Sequence, residues 1–147
     1  MFLQILLGSG LVLVTTVVHG GCTFGVLAAL RRIHADRWEL RSRWTEVLLV
    51  SVVVLLLFLA ALLEATIWAA TYFAVGATSG FEEALYFSTV TYTTLGYGDV
   101  VLQESWRILG AFEAANGIIM FGWTTALIVA LIQQIHSRRR AAASPNP

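Results

Sequence analysis

The densest chemistry in this sequence lies in one short run, Thr93-Thr94-Leu95-Gly96-Tyr97-Gly98-Asp99. Its side chains form neither a nucleophile–base pair nor a metal-ligand set. What the run offers is backbone. Gly96 and Gly98 can adopt backbone angles closed to residues that carry a side chain, and successive carbonyls can then all point to one side. Four such strands about one axis would make rings of oxygens that replace the water around a cation. The expected ligands are the carbonyl oxygens of Thr94, Leu95, Gly96 and Tyr97, with the Thr94 hydroxyl at the inner end. The Tyr97 ring would pack away from the axis and brace the ring's diameter, and Asp99 would anchor the run from behind. Each chain supplies one strand, so a closed ring implies a homotetramer with cyclic symmetry.

Irregular backbone at membrane depth is tolerated only where it is buried in protein or lines water, so helices must carry this run. The composition supplies them. Apolar residues make up 58% of the chain and charged residues 12%, against roughly 45–50% and about 25% in soluble domains. A helix needs about 20 apolar residues to cross the bilayer. The first candidate covers residues 1–30, interrupted by Gln4, Ser9, Thr15, Thr16, His19 and Thr23. No basic residue precedes it, which argues against a signal peptide. A basic loop follows over 31–43, with five Arg against Asp36 and Glu39. The second span is 44–73, with Trp44 and Trp68 suited to the two interfaces. Ser79 and Glu82 have the spacing of a capping box, so a helix is expected over 81–92, too short to span and suited to dipping in and returning. Its negative C-terminal end would favour a cation halfway across the membrane, and Glu82 and Glu83 suit its positive N-terminal end. The last span is 106–136, and residues 137–147 are expected to be a disordered basic tail. The Arg-rich loop and Arg138–Arg140 should both be cytoplasmic, which puts the N-terminus outside and Glu82, Glu83, Asp99 and Glu104 on the outer face.

At these residues the sequence resembles the potassium-channel family, over about residues 45–136. The filter of that family is itself the type example of carbonyl-ring selectivity. The run departs from the commonest form in Leu95, where Val or Ile is more usual; the change alters side-chain packing and leaves the carbonyl in place. The resemblance implies an all-α membrane protein: three transmembrane helices plus a re-entrant pore helix and filter loop, assembled as a tetrameric pore of the potassium-channel architecture in the cell membrane. It implies a selectivity filter of Thr94, Leu95, Gly96, Tyr97 and Gly98, with K+ as the permeant ion and no cofactor. By the same match, pore-helix positions Tyr86 and Val90 back Asp99. Tyr86 can donate its hydroxyl to Asp99 and Val90 cannot bond; Thr93 completes the support. The segment Gly117-Ile118-Ile119-Met120-Phe121-Gly122 matches the inner helix of small bacterial potassium channels. Gly117 is then either a hinge or a close-packing residue in a small-residue stripe with Gly110 and Ala114. Ile118, Phe121 and Thr125 should line a water-filled cavity. Val129, Ala130 and Gln133 should form an inner constriction able to close by dewetting.

Three ionisable residues fall inside apolar helices. An acid as deep as Glu113 marks a functional site by default; the expectation is a supporting role behind the filter, bonded to the pore helix through Thr91 or Tyr92. Glu64 is expected at the outer interface in water, and His19 as a bonded helix residue. The single cysteine, Cys22, excludes an intrachain disulfide and is expected to be a small packed residue. The first helix has no counterpart in two-helix channels and is expected to be peripheral. It is not a voltage sensor, because its Arg neighbours sit in a polar loop. The nine basic residues, all Arg, lie beside apolar spans with no nucleic-acid motif, and no enzyme is expected. A nonselective cation channel and a non-conducting membrane scaffold with a relic filter stay open.

Overall fold

Three stretches are long and apolar enough to cross a membrane: Phe2–Arg32, Arg43–Ala74 and Arg107–Ser137. In a computed structural model, which describes residues 2–35 and 42–143, they become α1 (Phe2–Ala35), α2 (Arg43–Ala74) and α4 (Arg107–Ala143). Between the last two sits α3 (Phe81–Tyr92), only 12 residues long. At 1.5 Å per residue it reaches about 18 Å, short of the ~30 Å hydrocarbon core. Among the described residues every regular element is a helix, and the chain is an all-α, multi-pass membrane protein.

Leu3, Leu6, Leu13, Val17 and Phe24 on α1, and Leu48, Leu55, Phe58 and Leu63 on α2, face outward with half or more of their surface exposed. Large apolar side chains facing outward are costly in water and need no cover in lipid. The interior is built in two clusters. One holds Ala65, Trp68, Tyr72, Ala84, Tyr92, Leu109 and Met120, where α3 wedges between α2 and α4. The other holds Val26, Leu30, Leu49, Val53, Leu57, Leu131 and Ile135, joining α1, α2 and α4 at the opposite end.

Several expectations need correction. Trp44 is exposed, but Trp68 is fully buried: it packs against Tyr72 with ring centroids 6.4 Å apart and lies within the cluster instead of at an interface. The first helix does not stop at residue 30 but runs through Arg31 and Arg32 to Ala35; residues 36–41 of the expected loop lie outside the described residues, and its last two, Ser42 and Arg43, cap and open α2. The last helix continues through residues 137–143, expected to be disordered. Arg and Ala are strong helix formers, and Arg140 in the last turn complements the negative helix end. Arg139 adds an ion pair to Glu46 of α2 at 2.5 Å. Residues 144–147 lie outside the described residues. The entry to α3 is also built differently. The N-cap is Gly80, without a side-chain bond, and Ser79 donates its backbone N–H (2.8 Å) and its hydroxyl to Glu83. The carboxylate that reaches back is one residue later than the capping-box spacing implied.

Candidate ion-conduction site

The run 93–99 hangs from the C-terminal end of α3. The last carbonyls of a helix have no intrahelical partner, and here they accept from the loop. Thr94 N–H donates to Thr91 O at 2.9 Å, and Leu95 and Gly96 N–H both donate to Val90 O, at 3.0 and 3.3 Å. Val90 thus contributes through its carbonyl. Thr93 caps the helix, and its hydroxyl donates to Thr89 O at 2.7 Å. Beyond the cap the backbone φ is positive at every second residue: Thr94 +59°, Gly96 +57° and Gly98 +79°. The two glycines take these angles without penalty. Thr94 does not, because a β-branched residue in this region carries strain of about 1–3 kcal/mol. Sequence reasoning missed this position; nothing in a threonine's type signals a left-handed backbone. Leu95 and Tyr97 are 54% and 68% exposed, so the Tyr97 ring makes no enclosing contact with its own chain's α3.

Asp99 is held from the helix. Tyr86 Oη donates to its Oδ2 at 2.6 Å, and Val100 N–H donates to Oδ1 at 3.0 Å. The Tyr86 hydroxyl, with the Val100 amide, holds the Asp99 carboxyl below the usual carboxylate range. Behind the run lies a cavity of about 210 Å³, lined by Tyr86, Phe87, Val90, Gly98 and Asp99 among others.

The deep carboxylates sit in a second layer, and their partners differ from those expected. Glu113 is fully buried. It accepts from Tyr72 Oη of α2 at 2.7 Å and from Ser88 Oγ of α3, rather than from Thr91 or Tyr92. Glu64 is not at a wet interface: it is fully buried, accepting from Tyr92 Oη of α3 and bonded to His19 Nδ1 of α1 at 3.0 Å. Two signals would have pointed to these groups. Ser88 and Tyr92 fall with Ala84 at i, i+4, i+8, one face of the short helix. Lone carboxylates in apolar helices must find donors, and that face offers two hydroxyls.

On α4, Ile118, Phe121, Val129 and Gln133 are exposed along one side. Thr125 lies with them, its hydroxyl spent on Phe121 O at 2.8 Å. Ala130 is exposed beside Val129 and also borders a cavity of about 60 Å³ with Val26, Leu27, Leu30 and Val53 of α1 and α2. Gly117 is buried, and a Cβ built on it would collide with the Tyr92 carbonyl. Its role in this structure is close approach, letting α4 pass against the end of α3.

The helices and the loop they suspend define a class, a multi-pass membrane protein with a re-entrant helix and an exposed, glycine-bearing return segment. A family model described as an ion channel matches residues 45–134, from the start of α2 into the last third of α4, and the chain belongs to this ion-channel family. The match leaves α1 outside. No curated protein and no solved structure matches the chain.

Proposed function

We propose that the chain is one subunit of a homotetrameric channel selective for K+, with residues 94–98 of each copy forming the filter. The observation that carries this reading is the backbone of that run: positive φ at Thr94, Gly96 and Gly98, exposed, and suspended from the C-terminal carbonyls of a helix too short to span. Alternating handedness is what a strand needs if consecutive carbonyls are to face one axis. Rings formed by Thr94, Leu95, Gly96 and Tyr97 would then substitute for the hydration shell of K+, and the α3 C-termini would favour a cation below them. Tyr86, Val90, Thr93, Asp99 and Glu113 support the run. Ile118, Phe121 and Thr125 face the cavity, and Val129, Ala130 and Gln133 form the inner constriction. The Arg bias supports a cytoplasmic C-terminus and an outer N-terminus in the cell membrane.

Planar-bilayer recording with K+ on one side and Na+ on the other tests this. A reversal potential far from zero, on the side set by K+, is expected. Reversal at zero with sustained current would make the pore nonselective, and absence of current would make the chain a scaffold.

A further inference from the structure

The first helix is hydrogen-bonded to α2 and α4, and one of these bonds leads on to the end of α3. The inward stripe of α1 is polar: Gln4, Thr15, His19 and Thr23 are all buried. Apolar contact alone does not drive helices together in lipid, whereas interhelical hydrogen bonds and small residues do. The α1 stripe uses both. Asn116 Nδ2 of α4 donates to Thr15 Oγ1 at 2.8 Å, and Gly8 lies so close to Phe112 that an added Cβ would sit 2.8 Å from its ring.

His19 makes the decisive contact. It is fully buried, with Nδ1 3.0 Å from Glu64 Oε1 of α2 and Nε2 3.3 Å from Thr124 Oγ1 of α4. The edge of the Trp123 ring closes it off, with centroids 5.5 Å apart. The other oxygen of Glu64 accepts from Tyr92 Oη. Tyr92 is the last residue of α3, and its carbonyl is the one Gly117 admits. The next residues, Thr93 to Gly96, hang by their amides from Thr89, Thr91 and Val90. His19, Glu64 and Tyr92 therefore form one chain of bonds from outside the family-matched region to the last residue of α3, two positions before the filter. Removing one donor leaves a buried carboxylate oxygen unsatisfied, at the cost of its desolvation, and a side chain that shifts to recover a partner displaces the group it holds on its other oxygen.

From this geometry we infer that His19 is a positioning residue for the filter: through Glu64 it fixes Tyr92, and α1 thereby sets the pore's ion preference. The inference rests on the channel reading above, and its test is separable from it. Full-length wild type, His19→Ala, His19→Asn and Tyr92→Phe are reconstituted and compared by amide hydrogen exchange and by bi-ionic recording. His19→Ala and Tyr92→Phe should each speed exchange at the amides of Thr93 to Gly96 by roughly tenfold, the equivalent of one hydrogen bond to a charged group. Both should move the reversal potential toward zero. The amides of Leu49 to Leu57, in α2 remote from the cluster, should keep wild-type rates, which a general loss of stability would not allow. In His19→Asn the amide nitrogen stands where Nδ1 stands, and both readouts should return toward wild type. Wild-type exchange at Thr93 to Gly96 in His19→Ala, or no recovery in His19→Asn, overturns the inference. If the wild-type channel has no preference for K+, the function proposed above fails, and the exchange rates alone decide the role of His19. If His19→Ala does not assemble, Tyr92→Phe keeps the ring and carries the same comparison.

Discussion

The bond between Tyr86 and Asp99, at the C-terminal end of the proposed filter, is short, at 2.6 Å. Removing the hydroxyl in Tyr86→Phe leaves the Asp99 carboxylate without a side-chain donor, held by backbone amides. Current during sustained opening should then decay faster than in wild type; unchanged decay and unchanged selectivity would rule the pair out as a brace. The pair also predicts a pH dependence. The Asp99 carboxyl lies below its ordinary value, chiefly because Tyr86 donates to it. A depressed carboxyl contributes stability that is present above the unfolded value, about pH 3.9, and is lost as pH falls through the lower native value. Wild-type currents should therefore resist acidification of the Asp99 side down to that ordinary value. In Tyr86→Phe the acid sensitivity should shift upward toward it, as pH titration of current decay would show. At this scale the pair was legible through the family resemblance, which matched Tyr86 and Val90 to the positions behind Asp99. Thr94 was not, since its left-handed backbone is imposed by the helix end and by the alternation that Gly96 and Gly98 continue.

Where α3 meets α4, a single glycine separates two readings that the sequence left open. A hinge glycine in a helix costs about 1 kcal/mol relative to Ala, so Gly117→Ala at a hinge would stabilise the protein. Here an added methyl meets the Tyr92 carbonyl, and overpacking of this kind costs about 1–3 kcal/mol. Thermal unfolding of the purified assembly should therefore show Gly117→Ala to be less stable than wild type; a more stable variant would restore the hinge. Gly122, one turn on, has nothing near a built Cβ, so Gly122→Ala should be neutral to stabilising in the same measurement. Helix type and approximate extent were readable from apolar length at this scale. The ends were less so: α4 runs to Ala143 because Arg and Ala continue a helix easily, and α3 starts after Gly80 because Glu83, not Glu82, turns back to Ser79.

For the assembled molecule, the exposed faces of Leu95, Tyr97 and Ile118 are the surfaces a ring of copies would bring together. Native mass spectrometry of the detergent-purified protein should release an assembly of four copies of the 16.1 kDa chain. A monomer or dimer as the largest species would leave the carbonyl ring without closure.

What the sequence alone determined is what depends on neighbours along the chain: three spans from apolar length, a short helix between two of them, and a run whose glycines permit the backbone it adopts. These are local properties, set by solvent and by φ/ψ sterics, and they suffice for the family. What only the tertiary structure decided is the pairing of buried polar groups. His19 meets Glu64 across 45 residues and Thr124 across 105; Glu113 meets Tyr72 across 41. Each of these side chains has several possible partners by chemistry. Which one it takes is set by the rotation and crossing of packed helices, which no residue encodes by itself. For that reason Glu64 read as a surface acid, until the fold put it against Tyr92 at the end of α3 and brought His19 of α1 to its other oxygen.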